Sequence, residues 1–349
     1  MNQSTPAPAV ASATPARRAS GARSALSPIG VLAELSVGPC SGSELAARLG
    51  VTRAAVWKQV ERLRGLGVGI AAQAGGGYRL EAPLELLDAT RITAALAPAF
   101  RAHLGDLAVH WQLDSTSSEL LRRAVTDPRD LLACLAEVQS AGRGRRGRAW
   151  RMPLGGGLAL SLLKRFDGGM AALAGLSLVA GIAAVQALAD CGIGEVALKW
   201  PNDLVAHERK LGGVLVEIGG EAMGPCHAVI GIGLNVRLDA RGGAAIDQPW
   251  IDLAVLAGDT PPSRNLLAAR LLERLIEALA RFAEAGFAAF ADDFACMDAL
   301  AGRRVRVLSG ARIEEGIARG VDARGALRVE CADGEHAIDS GEVSIRMAP

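Results

Sequence analysis

Between Gly142 and Trp150 the chain sets three glycines, four arginines and a tryptophan in nine residues, and Arg151 adds a fifth arginine. Glycines at this density let a loop fold closely over a ligand and present backbone N–H groups. Arginines at this density demand anions, because the guanidinium fork matches phosphate and carboxylate geometry and stays charged. A Gly-x-Gly-x-x-Gly run alone suggests a dinucleotide fold, with a strand before it, a helix opening on the glycines and an acid about 20 residues on. Asp167 stands near that spacing, but Arg145, Arg146 and Arg148 would crowd a turn that hugs a pyrophosphate. A loop closing on a phosphate-bearing intermediate fits these residues better than a dinucleotide turn or a solvated basic surface. Downstream, Lys199 ends a predicted strand and is followed by Trp200-Pro201, which forces a turn there. Upstream, Ser115 and Thr116 read as a helix cap.

Four stretches stand in one order: Gly142-Arg143-Gly144-Arg145-Arg146-Gly147, Lys199-Trp200-Pro201-Asn202-Asp203, Lys210-Leu211-Gly212-Gly213-Val214-Leu215-Val216-Glu217 and Gly231-Ile232-Gly233-Leu234-Asn235. Together they resemble the biotin protein ligase family. With the N-terminal part, the resemblance is to the bifunctional type that doubles as biotin operon repressor, and it spans residues 27 to 346. It implies a two-step reaction. Biotin and ATP give biotinyl-5'-AMP and pyrophosphate, and a lysine of a biotin carboxyl carrier protein then attacks the mixed anhydride. The first step brings a carboxylate against a triphosphate, so positive donors and alignment matter more than a protein nucleophile. The chain has five histidines, and none sits in a motif with Ser or Asp.

The resemblance also implies roles. Lys199, Arg143 and Arg145 would be catalytic, with Lys199 on the biotin carboxylate or α-phosphate and the two arginines closing on the adenylate. Ser115, Thr116, Ser117, Gln139, Gly144, Gly231 and Gly233 would join those three around biotin. Asp114-Ser115-Thr116-Ser117 is similar to the family's Asp-Ser-Thr-Asn, with Ser117 in place of the asparagine. Trp150 would stack on adenine, with a core tryptophan as the rival. Asn235, Arg146 and Arg148 would complete the adenylate site. No metal-ligand cluster is legible, so Mg²⁺ is expected to arrive with ATP, held largely by phosphates.

The elements that must position these groups follow from composition and pattern. At 349 residues two or three domains are expected, and 50% hydrophobic content with 42 glycines suits an α/β protein. A net charge of +1 gives no global pull toward nucleic acid or membrane. No two of the six cysteines lie within thirty residues of each other, so a zinc or disulfide framework is not signalled and a cytoplasmic setting fits. Met170 to Leu188 is apolar enough to invite a membrane reading, but its Ala and Gly content points to a buried helix, and no membrane partner is expected.

Four parts are expected. Residues 1–25 form a disordered tail. Residues 26–82 form a winged helix-turn-helix: a helix over Ile29–Leu35, a second after Ser41 or Ser43, the turn Gly50-Val51, a third helix capped by Thr52, and a wing over Ile70–Leu80. Residues 41–80 carry six Lys or Arg against Glu44 and Glu61. That local balance suits operator DNA, with Thr52, Arg53, Lys58 and Arg62 as contacts. Pro83-Leu84-Glu85 begins a linker.

Residues 83–298 form an α+β catalytic domain: a mixed sheet (strands Val109–Leu113, Leu132–Gln139, Leu158–Leu163, Val196–Lys199, Leu211–Ile218 and His227–Leu234) with helices on one face (Ser117–Val125, Met170–Cys191, Arg264–Phe282). Residues 299–349 form a small five-stranded barrel that resembles the family's SH3-like cap. The Leu238–Pro249 stretch, with Gly242-Gly243-Ala244-Ala245, is expected to order over adenine and favour a homodimer of the adenylate-bound form. A ligand-sensing regulator that binds biotin or an adenylate without catalysis is the alternative function.

Overall fold

The computed structural model describes residues 28–73, 77–238, 243, 246, 248–258, 260–309, 312–339 and 343–347. The tail over residues 1–25, the wing tip at Gly75-Gly76 and most of the Leu238–Pro249 stretch lie outside the described residues. The chain divides into two compact units, residues up to Leu63 with Ile70–Glu81, and Arg64–Gly69 with Ala82 onward.

The first unit is a helix-turn-helix with a small sheet: α1 (Pro28–Val37), β1 (Cys40–Ser41), α2 (Gly42–Leu49), α3 (Arg53–Gly65), β2 (Ile70–Gln73) and β3 (Gly77–Leu80). Ser41 caps α2 in a reciprocal box. The Glu44 amide donates to Ser41 Oγ at 3.1 Å and the Ser41 amide to Glu44 Oε2 at 2.8 Å. Gly50 ends α2 at φ +65°, where a Cβ would be strained. Thr52 Oγ1 accepts from the Ala55 amide at 3.2 Å and opens α3. Val56, Val60 and Leu63 are the buried stripe of α3, and Val31, Leu32, Leu35 and Leu45 are the buried residues α1 and α2 add to the unit's core. The wing pairs β2 with β3, and β1 adds to the far side of β3.

The second unit is built on a seven-stranded sheet of order β4-β5-β6-β10-β9-β8-β7. Its strands are β4 (Asp106–Leu113), β5 (Leu132–Gln139), β6 (Gly157–Phe166), β7 (Ala197–Lys199), β8 (Asp203–Ala206), β9 (Arg209–Gly220) and β10 (Cys226–Asn235). The β4–β5 pair is parallel and every other pair antiparallel, so the sheet is mixed as expected. β8 was not foreseen, because four residues after a tight turn show no periodicity of their own. Around the sheet stand α4 (Ala89–Ala95), α5 (Pro98–His103), α6 (Thr116–Thr126), α7 (Leu176–Asp190), α8 (Leu253–Leu256), α9 (Arg264–Ala285) and α10 (Ala291–Met297). Side chains alternate along a strand. Ala133 and Leu135 of β5 therefore enter the core shared with the long helices α7 and α9, while Leu132 and Cys134 meet Leu120 and Ala124 of the shorter α6, so helices cover both faces of the sheet and not one as expected.

The helix expected over Met170–Cys191 is broken. Met170–Leu173 is a single 3-10 turn, and α7 starts only at Leu176. Gly175 between them has φ +79°, and a Cβ there would lie 2.6 Å from the Phe287 ring. Composition cannot reveal a left-handed glycine inside an apolar run. Met170–Asp190 has the length and hydropathy of a membrane span, but eleven of the fifteen α7 residues are buried in the protein's own core.

The stretch after Pro83 is more tightly held than a linker. Arg264 donates through Nε to the Gly157 carbonyl at 3.0 Å and through NH1 to the Glu85 carbonyl at 2.7 Å and Glu137 Oε2 at 2.9 Å. Asn265 Nδ2 donates to Glu85 Oε1 at 2.9 Å, and the Leu87 amide donates to Glu137 Oε1 at 2.5 Å. Buried polar groups need such partners, and here the partners join sequence positions 50 to 180 apart, beyond the reach of local pattern.

The C-terminal strands β11 (Arg304–Ser309), β12 (Arg312–Val321), β13 (Leu327–Cys331), β14 (Gly334–Ile338) and β15 (Val343–Met347) form an antiparallel sheet of order β14-β13-β12-β11-β15. Its β12–β13 turn is tied by Asp322, whose Oδ1 accepts the Arg324 and Ala326 amides at 2.8 and 2.9 Å. Trp200 Nε1 donates to the Gly325 carbonyl at 3.0 Å and fastens this turn to the central sheet.

Candidate active site

A cavity of about 400 Å³ opens on the sheet, a size suited to a small-molecule ligand. Its floor is a hydroxyl cradle at the first turn of α6. Ser115 caps the helix, accepting the Ser118 amide at 3.4 Å. Thr116 donates through its amide (2.8 Å) and Oγ1 (3.2 Å) to Gln139 Oε1 at the end of β5. Thr116 Oγ1 and Ser117 Oγ both meet Ser161 Oγ of β6, at 2.8 and 3.0 Å. Ser115, Thr116, Ser117 and Ser161 are all at most 5% exposed, so their hydroxyls have one another or a ligand, not bulk water. Ser161 was missed by sequence reasoning, since a serine in a strand buried on both faces carries no signal. Asp114 holds the turn from outside: Arg122 grips its carboxylate at 2.8 and 2.9 Å and keeps its pKa well below the usual carboxylate range.

Lys199 ends β7 and lines this cavity, with its backbone in register with Asp203 of β8. The residues after it fix that strand end. Trp200 is buried and anchors the C-terminal sheet, and Ser177 Oγ donates to the Pro201 carbonyl at 3.1 Å. Asn202 Nδ2 donates to the Val214 carbonyl at 2.8 Å, and Asp203 pairs with Lys210 of β9 at 2.6 Å. Lys210 lines the cavity as well. Its cationic role needs the β8–β9 hairpin register and was not read from the sequence.

The arginine loop forms one wall. Gly144 donates its amide to the Arg148 carbonyl and Trp150 to the Gly142 carbonyl, both at 2.8 Å, so the loop folds back on itself as a narrow hairpin. Gly142 is required there, because a Cβ would lie 2.5 Å from the Trp150 carbonyl oxygen. Arg146 at the tip adopts φ +58°, and Gly147 beside it φ +70°. Arg145 donates to Asn202 Oδ1 at 3.2 Å. Burial pulls its guanidinium pKa down from the ordinary value while nearby Asp203 opposes the shift, and the group remains charged. Arg143 is engaged by Glu217 of β9 at 2.9 and 3.2 Å. Arg146 and Arg148 are exposed and border the cavity.

Gly231 and Gly233 of β10 make room for side chains of the chain itself. A Cβ on Gly231 would come within 2.8 Å of Ser117 Oγ, and one on Gly233 within 2.5 Å of the Trp150 ring. Trp150 therefore lies against the strand with its ring bordering the cavity, half-buried, neither a core residue nor a free face. Asn235 borders the cavity too, but its Nδ2 donates to the Ile251 carbonyl at 3.1 Å and the Lys210 carbonyl at 3.4 Å, tying β10 to both segments.

On the first unit, Thr52, Arg53, Lys58 and Arg62 are exposed. Lys58 lies opposite the buried stripe of α3 and Arg62, one turn on, shares its face, while Arg53 is exposed at the first residue of the helix, nearer the stripe's edge. Thr52 uses its hydroxyl as the α3 cap. Trp57, 58% exposed on the same helix, is a further contact candidate.

Three parts of the chain match known families. Residues 110–235 match the biotin/lipoate A/B protein ligase family, residues 301–346 the biotin protein ligase C terminal domain, and residues 32–79 an HTH domain. The chain is similar to the bifunctional ligase/repressor BirA of Salmonella typhimurium, 41% identical over 88% of this chain and 93% of that protein. BirA of Escherichia coli is 38% identical over the same shares. Among solved structures, the biotin protein ligase from Aquifex aeolicus in complex with biotin and ATP aligns with a TM-score of 0.59 and 28% identity, covering 70% of this chain and all of that one.

Proposed function

This chain belongs to the biotin protein ligase family, among the bifunctional ligase/repressors, and we propose how its residues carry out that work. It is an ATP-dependent ligase. A biotin carboxylate oxygen attacks the α-phosphorus of ATP, pyrophosphate leaves, and the carrier lysine then displaces AMP from biotinyl-5'-AMP.

One observation carries the site assignment: a single cavity collects a dry hydroxyl cradle, a strand-end lysine and an arginine-rich wall. The cradle of Ser115, Thr116, Ser117 and Gln139, extended by Ser161, suits the ureido ring, whose carbonyl accepts and whose N–H groups donate. Ser117 replaces the family's asparagine and works through Ser161 instead of through an amide. Lys199 neutralises the biotin carboxylate and the α-phosphate as they meet, and Arg145, held by Asn202, does so from the loop side. Arg143 leaves its pair with Glu217 to meet the phosphate, while Gly144 brings the loop backbone close. Trp150 presents its ring to adenine, with Asn235, Arg146 and Arg148 around the nucleotide. Mg²⁺ would come with ATP, held largely by its phosphates, and would supply charge on the leaving pyrophosphate; Asp203, the one carboxylate among the described lining residues, is already paired with Lys210.

Residues 26–82 form the operator-binding head, 83–298 the catalytic domain and 299–349 the cap. The exposed cationic surface of α3 supports Arg53, Lys58 and Arg62 as DNA contacts, with Thr52 at the helix start donating to a phosphate. One helix-turn-helix reads a half-site, so a homodimer formed when adenylate is bound accounts for repression. By linkage the dimer then binds adenylate more tightly, by roughly 1–3 kcal/mol. All six cysteines are free thiols, as a reducing cytoplasm would keep them.

Mixing the protein with biotin and ATP tests the catalytic reading. Pyrophosphate release separates a ligase from a ligand-sensing regulator that binds without turnover. Sedimentation and operator gel shift, with and without ATP plus biotin, test the dimer; identical mass and DNA affinity in both would remove it.

A further inference from the structure

The small C-terminal sheet carries donor groups that the ligase reaction does not use. Glu314 of β12, Cys331 of β13 and His336 of β14 each offer one ligand atom, and these atoms lie within 4.8 Å of one another. The ladders explain why. β12 and β13 set Ala318 opposite Val329, and β13 and β14 set Val329 opposite His336. Side chains alternate along a strand, so Glu314, Cys331 and His336 share the face that carries buried Ala318 and Val329. All three are half-buried at its rim. Gly316 lies between Glu314 and Ala318 on that face, and a Cβ there would come within 3.0 Å of Cys331 Sγ. The missing side chain leaves the thiol its place.

The imidazole is held at both nitrogens. His336 Nδ1 meets Glu314 Oε2 at 2.9 Å, and Nε2 meets Asp333 Oδ1 in the β13–β14 turn at 3.3 Å. A histidine with one nitrogen toward a donor cluster and the other against a carboxylate is set up as metal-ligating histidines usually are. We propose that Glu314, Cys331 and His336 form a binding site for Zn²⁺, with Asp333 orienting the imidazole and solvent completing a tetrahedral set. Thiolate, imidazole and carboxylate together suit zinc, whereas Mg²⁺ takes oxygen ligands only, so the site is separate from the ion that comes with ATP. None of the three residues lines the active-site cavity. On binding, Cys331 loses its thiol proton to solvent, and the Glu314–His336 contact is replaced by one bond from each residue to the ion. The ion then clips three strands together and stabilises the sheet.

The test uses the full chain after treatment with a chelator. Co²⁺, standing in for Zn²⁺, is expected to bind at one equivalent with the near-ultraviolet charge-transfer band of a cobalt thiolate, and Zn²⁺ should displace it. Cys331→Ser should abolish the band, and Asp333→Asn should weaken binding by about 10-fold through the imidazole alone. A readout on the unaltered chain guards against variants that fold poorly: Zn²⁺ should protect Cys331 from alkylation, with exposed Cys296 reacting as before. Absence of both the band and the protection overturns the site. Undiminished cobalt–thiolate binding in Cys331→Ser overturns it equally.

Discussion

Gly233→Ala offers the sharpest division of the cavity into its two halves. The added Cβ would stand 2.5 Å from Trp150 Cε2, 2.6 Å from Cζ2 and 2.8 Å from Nε1. Carbon atoms in contact sit about 3.5–4.0 Å apart, so the ring must recoil by about 1 Å or more. The strand cannot yield instead, because Gly233 is in register with Ala159 on one side and Gly213 on the other. Overpacking of this kind costs about 1–3 kcal/mol of stability, a loss that a protein of this size survives. A base stacked on an aromatic ring gains about 1–3 kcal/mol, so displacing Trp150 should raise the KM for ATP by roughly 5- to 150-fold. Biotin affinity, measured by calorimetry without nucleotide, should be unchanged, since the hydroxyl cradle faces Gly231. Gly231→Ala is the mirror experiment. Its Cβ would lie 2.8 Å from Ser117 Oγ and 3.5 Å from Ser161 Oγ, and it should lower biotin affinity while sparing the KM for ATP. If tryptophan fluorescence shows the ring displaced in Gly233→Ala and the KM for ATP stays the same, Trp150 is not the adenine platform. Equal damage to both ligands by both variants would refute the two-subsite division itself.

Lys199→Ala should slow adenylate formation by about 10²-fold or more with the melting temperature retained, and single-turnover pyrophosphate release will read it. Arg145→Gly removes the loop's hydrogen bond to Asn202, so the reactive anhydride should escape and label lysines of bystander proteins. Bystander labelling at the unaltered level, with adenylate still made, would deny the loop that sealing role. Arg264→Ala leaves Glu137 charged and buried without its partner, which should cost about 3–5 kcal/mol and lower the melting temperature by roughly 10 °C. Calorimetric scans of this variant and of Arg264→Ala with Glu137→Gln should show part of that loss recovered in the pair.

Local pattern revealed the strands that carry the site. Leu132–Gln139 is the observed β5, and the strands expected around Leu158, Leu211 and His227 fall within β6, β9 and β10. These runs are apolar, β-branched or glycine-bounded, so composition is enough to find them. The helix-turn-helix was legible for a different reason, since Ser41, Gly50 and Thr52 each supply a capping or turn chemistry that few other residues supply. What stayed hidden depends on pairing across the sheet. Ser161 becomes a site residue because β6 sets it opposite Gly231, and Lys210 meets Asp203 because β8 and β9 form a hairpin. The break at Gly175 and the fastening of Glu85 by Arg264 and Asn265 arise from contacts with residues more than 100 positions away. The glycines of β10, legible as places of close approach, line the cavity and make room there for Ser117 and Trp150, which only the pairing across the sheet reveals.

The decisive measurement is incubation of the purified chain with ATP, labelled biotin and a biotin carboxyl carrier domain, following label on the carrier alongside AMP and pyrophosphate. Label should appear on one carrier lysine, with one AMP and one pyrophosphate per biotin transferred, and none should appear without ATP. Binding of biotin with no pyrophosphate and no labelled carrier would contradict the ligase and leave a biotin-sensing DNA-binding protein in its place.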